Sequence, residues 1–195
     1  MRNVIRTVCA LALIGITPAY AAEYIQPYVP EAKLVGQGRA QVFLWDVYDA
    51  KLYAPGGVYS ESEPFALELN YLLELKGREI ANHAVDEMRR LGYKNEAMLA
   101  AWQERMSRIF PDVIPGKTVT GIYVPGDQTI FFADGDEIGR IDDPDFGREF
   151  FSIWLDARTN TPGLRRSLLD LNNTMKGNRH DRPAQNPAAG GDHAS

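Results

Sequence analysis

Cysteine is nearly missing from this chain of 195 residues, with Cys9 as its single instance. Cys9 lies within the apolar run near the amino terminus and follows no small-residue lipobox, so lipid attachment is not expected. Past that run there is no thiol, which excludes disulfides, thiolate nucleophiles and cysteine metal sites there. Histidine is also scarce. His180 and His193 fall in the last stretch of the chain, His83 stands alone, and no H-x-x-x-H spacing occurs, so no metal site is expected. There is no G-x-S-x-G elbow and no phosphate-binding glycine loop. Gly36 and Gly38 lack a third glycine and lead into a strand rather than a helix. No other cofactor is expected. An excess of positive charge is lacking too: 26 acidic against 21 basic side chains give a net charge of -5, which argues against nucleic acid as a partner. No apolar run reaches the ~20 residues that a membrane span needs.

The first residues are informative. MRNVIRTVCALALIGITPAYAAEY opens with Arg2 and Arg6, continues through an apolar run from about Val8 to Ile16, and closes on Ala19-Tyr20-Ala21. That order is expected of a secretory signal peptide, residues 1–21, cut after Ala21, which predicts a periplasmic protein with no transmembrane segment after processing. At the other end, NNTMKGNRHDRPAQNPAAGGDHAS offers few large apolar groups, so residues 173–195 are expected to form a disordered tail. Residues 22–172 then make one domain of roughly 150 residues, large enough for its own core without disulfides.

Within the domain, EYIQPYVPEAK holds two prolines and reads as an extended lead-in. Lys33 to Val42 and Val47 to Ala54 read as strands with a bend near Trp45-Asp46. In the second, Tyr48, Ala50, Leu52 and Ala54 share one face, and Asp49 and Lys51 the other. Phe65 to Leu75 alternates as one long half-buried strand. The period changes in GREIANHAVDEMRRLG, where Ile80, Ala84, Met88 and Leu91 recur at helical spacing before Gly92. Asn95 is placed to cap a second helix carrying Leu99, Trp102 and Met106. Thr118 to Val124, Gln128 to Ala133 and Glu137 to Ile141 form a meander with turns at Pro125-Gly126 and Asp134-Gly135. Asp143-Pro144 and Thr161-Pro162 read as openings of two more helices. This order predicts an α+β fold: an antiparallel sheet with helices gathered on one face, and a cleft between them suited to a small apolar ligand.

Few residues in this pattern suggest chemistry. His83, beside a helical apolar stripe, reads as a boundary residue rather than a catalytic base. Asp142, Asp143 and Asp145 suit a helix start. Phe146, Phe150, Phe151 and Trp154 at helical spacing read as core that could also line a cavity. Arg39 leaves two readings open: an exposed strand arginine, or a cation facing inward that needs a carboxylate, carbonyls or a ligand anion.

Several stretches, taken in order, resemble the bacterial chalcone isomerase-like domain. They are G-Q-G-R followed by DVYDAKLYAP, then PFALELNYLLELKG, IANHAVDEMRRLG, IFPDVIPGKTVTGIYVPG, the FFADGDEIGRIDDPDF run, and FFSIWLDARTNTPGLRRSLL. The resemblance runs from about Leu34 to Leu169. It implies an open-faced β-sandwich, a large antiparallel sheet covered on one face by helices with a ligand cleft between. In the plant isomerases of this superfamily an arginine on the first core strand polarises the substrate carbonyl, and Arg39 matches it by context, which implies an inward-facing cation. Tyr48 stands where those enzymes carry a threonine, and LKGREIANHAV lacks their Tyr-x-x-Lys-x-x-x-Asn pattern. Other superfamily members bind fatty acids through arginine and tyrosine.

The resemblance therefore implies a non-catalytic binding protein for a small apolar ligand, fatty-acid-like, with a carboxylate or carbonyl. Arg39, Tyr48, Tyr53 and Tyr71 are its expected ligand-binding residues. The alternative is an isomerase or intramolecular lyase acting on a chalcone-like enone, with Arg39 as electrophile and Tyr48 as proton relay. A third reading has the domain pack against another envelope protein.

Overall fold

The computed structural model describes residues 23–42 and 44–171. The expected signal peptide at 1–21 and the expected tail at 173–195 lie outside the described residues. The backbone forms one six-stranded antiparallel sheet in sequence order: β1 (Ala32–Val42), β2 (Trp45–Pro55), β3 (Phe65–Tyr71), β4 (Thr118–Val124), β5 (Gln128–Ala133) and β6 (Asp136–Ile141). Between β3 and β4 run α1 (Gly77–Leu91) and α2 (Glu96–Ile109). After β6 come α3 (Phe146–Leu155) and α4 (Pro162–Leu168). The expected α+β layering is the observed one.

The turns follow their residues. At Asp134-Gly135 both φ angles are positive, 49° and 93°, as a two-residue type I′ hairpin requires. α1 ends where Gly92 takes φ 119°, letting the Gly92 and Tyr93 amides donate to the carbonyls of Arg89 and Met88. Asn95 caps α2, its side-chain oxygen accepting from the Met98 amide at 3.2 Å.

Three local expectations are corrected. β3 stops at Tyr71 and not Leu75, because the chain leaves the ladder there and touches strand geometry again only at the Leu75–Val113 bridge. α3 begins at Phe146, later than Asp143-Pro144 suggests. Asp143 instead accepts from the Asp145 amide at 3.0 Å and from the buried Trp102 indole at 2.9 Å, so it ties the start of α3 to α2. The lead-in is a series of turns rather than extended. Val29 donates to the Ile25 carbonyl at 3.0 Å, which sets Ile25 and Val29, four residues apart, side by side on the sheet.

Strand alternation divides the core in two. Ala50, Leu52, Phe65, Leu67 and Leu69 point toward the helices and meet Val85, Met88 and the α3 aromatics. The opposite face carries Tyr53, Ala66, Ile122, Ile130 and Phe132, closed over by Ile25 and Val29. On β1 the helix side presents Gly36, Gly38 and Ala40, which pair with Leu52, Ala50 and Tyr48. A Cβ on Gly36 would lie 2.1 Å from the Ser167 carbonyl oxygen, and one on Gly38 would lie 2.9 Å from Ser167 Cβ. The G-x-G pair thus lets α4 lie directly on the backbone of β1.

Candidate functional site

Sheet and helices do not meet everywhere, and a cavity of about 790 Å³ remains between them, within the usual range for small-molecule sites. Leu67, Leu69 and Tyr71 of β3 form part of its floor, with Val119 and Gly121 of β4. Ile80 and Ala84 of α1 and Phe150, Phe151 and Trp154 of α3 enclose it from the helix side. Gly121 makes room for one of these rings: a Cβ there would lie 3.0 Å from Phe151 Cζ. The wall is therefore mostly hydrocarbon, and only a few groups interrupt it.

Two of those groups are tyrosines on neighbouring strands. Tyr48 and Tyr71 are cross-strand partners of β2 and β3, with ring centroids 5.7 Å apart in an edge-on arrangement. The Tyr48 hydroxyl accepts the Trp154 indole N–H at 2.8 Å, which leaves its own proton free to be donated. Burial pushes the Tyr48 phenol up to about 12, with the Trp154 hydrogen bond opposing. Tyr71 is 4% exposed, lines the cavity, and its hydroxyl has no hydrogen-bond partner among the described residues. Burial also raises its phenol, with Tyr48 adding to the effect. Both therefore stay protonated donors at neutral pH.

Three ionisable side chains of α1 also line the cavity. His83 and Glu79 are exposed, as is Trp45 of β2. Glu87 is 8% exposed and also lines the wall, but its carboxylate is already occupied. Arg90 donates to it at 2.8 and 3.0 Å, and the Asn160 amide at 2.9 and 3.1 Å. Among the described residues no arginine or lysine lines the cavity. No group of three or more metal-ligating side chains comes together among the described residues.

The inward-facing cation expected at Arg39 is corrected. Arg39 pairs with Asp49 across β1 and β2, on the side of the sheet away from Ala40 and the helices. Its guanidinium donates to Asp49 at 2.6 and 2.9 Å and to Asp46 at 2.9 Å, half-exposed to solvent. The hydrogen bonds it donates to Asp49, then that to Asp46, hold it further toward the charged form. Tyr53 also faces away from the cavity, 5% exposed among Ile25, Val29 and Ala66 on the opposite side. Of the four residues expected to bind a ligand, the structure brings Tyr48 and Tyr71 together in the cavity and leaves Arg39 and Tyr53 outside it. Trp154, the donor that fixes Tyr48, was visible only as part of an aromatic stripe. Glu87 and Asn160 carried no sequence signal.

The site is thus an apolar cavity between an antiparallel sheet and the helices that roof it, with two tyrosines on its wall. The chain belongs to the chalcone isomerase-like family, whose model matches residues 22–170. A comparison with curated proteins returned no match. Among solved structures, it is similar to a fatty-acid binding protein of Arabidopsis thaliana. The two share 16% identity and a TM-score of 0.58 over 80% of this chain and 91% of that one. At that identity the likeness shows the fold. No helix among the described residues is long and apolar enough to cross a membrane.

Proposed function

We propose that this protein binds a small, elongated apolar ligand, fatty-acyl in character with a carbonyl or carboxyl end, in the cavity between sheet and helices. The observation that carries this reading is the apolar cavity of about 790 Å³ with the Tyr48 and Tyr71 side chains on its wall, a size suited to a small molecule. The structural likeness to a fatty-acid binding protein supports the reading at the level of fold. The signal-like start of the sequence supports a periplasmic site of action, which the mass of the mature amino terminus in a cell fraction would test. Arg39 cannot act as an electrophile on anything inside the cavity from the outer face, so the isomerase reading gains no support from the site.

Uptake of an apolar fluorescent acyl probe tests the proposal. Wild-type protein should bind it. Ala84→Trp, which adds an indole to a buried position of α1 on the cavity wall, should weaken binding by about tenfold or more with an unchanged circular dichroism spectrum. Unimpaired binding by that variant would move the ligand elsewhere.

A further inference from the structure

We propose that the cavity selects ligands whose polar end is an uncharged carbonyl, such as an ester or ketone, over ligands ending in a carboxylate. This rests on the reading that an apolar ligand occupies the cavity, and adds the chemistry of its headgroup.

The argument starts from what the wall can offer a polar atom. Trp154 already uses one lone pair of the Tyr48 oxygen, so Tyr48 faces a ligand as a donor. Tyr71, beside it, has a hydroxyl without a partner among the described residues and is almost wholly buried. The Tyr71 side chain lines the cavity and its hydroxyl is not sealed off from it, so a ligand acceptor would give that donor a partner. A carbonyl oxygen has two lone pairs and can accept from two such donors. Neither phenol brings a positive charge.

A carboxylate meets different conditions. Buried among hydrocarbon it needs a cation or several strong donors, because losing its hydration is far more costly than for a neutral carbonyl. Among the described residues the wall carries no lysine or arginine. The arginine that could have served, Arg39, is engaged with Asp46 and Asp49 on the other side of the sheet. Arg90, the cation behind Glu87, donates to that carboxylate and to the Arg158 carbonyl. Among the described residues, the ionisable groups that line the cavity, apart from the tyrosines, are Glu79, Glu87 and His83. Two of the three are carboxylates, and His83 is an exposed residue of α1.

The test compares two probes with the same chain, methyl dodecanoate and dodecanoate, titrated into the full protein at neutral pH and read by displacement of the acyl fluorophore. The ester should bind at least about tenfold more tightly than the carboxylate. Tyr71→Phe removes no hydrogen bond made within the described chain. It should weaken the ester by about threefold to tenfold and leave the carboxylate unchanged. Equal or tighter binding of the carboxylate by the wild type would overturn this inference alone and leave the cavity reading standing. An ester affinity untouched by Tyr71→Phe would also overturn it. Binding of neither probe would take down the cavity reading and this inference with it.

Discussion

Trp154 donates its indole N–H to the Tyr48 hydroxyl across 2.8 Å, joining α3 to β2 over 106 positions of sequence. The bond fixes which way the phenol faces and lets it serve both the fold and the cavity. Tyr48→Phe leaves the buried indole N–H without its partner and should cost about 1–3 kcal/mol. Tyr71→Phe breaks no bond within the described chain and should stay within about 0.5 kcal/mol of wild type. Urea unfolding of the two variants side by side measures the difference.

Arg39 should be dispensable for ligand binding. Its guanidinium bridges Asp49 and Asp46 at the surface, and the sheet separates it from the cavity. Arg39→Ala is expected to leave the affinity for an apolar acyl probe within about twofold of wild type. A tenfold loss would mean that the β1–β2 hairpin rearranges on binding and turns the cation inward.

Gly36 should tolerate no side chain. The Ser167 and Leu168 carbonyl oxygens would stand 2.1 and 2.6 Å from a new Cβ, so Gly36→Ala must push α4 off β1. Overpacking of this kind costs about 1–3 kcal/mol, whereas Gln37→Ala, on the exposed side of the same strand, should fall within about 0.5 kcal/mol of wild type. Thermal unfolding of both variants tests the contrast.

The tyrosines make stability depend on alkaline pH. Burial raises the Tyr48 phenol from 10.0 in the unfolded chain to about 12 in the fold. A raised phenol contributes stability that is fully present below pH 10 and is lost as pH rises through about 12, because the unfolded chain ionises first. Tyr71 shifts in the same direction and adds to the effect. Tyrosinate absorbance should therefore lag behind that of free tyrosine, and the unfolding midpoint should drop between about pH 10 and 12. Tyr48→Phe should flatten that drop.

Much of the layering could be read from side-chain periodicity. Tyr48, Ala50, Leu52 and Ala54 alternate cleanly, so β2 and its inward face were legible, and Tyr48 was placed correctly with them. β1 was not legible in the same way. Its inward positions are Gly36, Gly38 and Ala40, which leave no apolar pattern, and the register shift between Leu34 and Gly36 upsets counting from the strand start. Periodicity therefore left the side of Arg39 open, and the inward placement came from the resemblance to the plant isomerases. Tyr53 follows Leu52 in β2, and alternation alone puts it opposite Tyr48. It is buried there because Ile25 and Val29 cover that face, a contact no local pattern announces. The Trp154–Tyr48 bond depends on how α3 docks, and that is set by tertiary packing alone.

The central claim is that an apolar ligand lies between the sheet and the helices, with its polar end at Tyr48 and Tyr71. The most direct test is photocrosslinking with a diazirine-bearing acyl methyl ester, followed by peptide mass spectrometry to locate the label. The account predicts label on the segments that line the cavity, Leu67 to Leu75 and Ile80 to Ala84, competed away by unlabelled methyl dodecanoate. Competed label on the outer face instead, around Tyr24 to Val29 or beside Arg39, would contradict it.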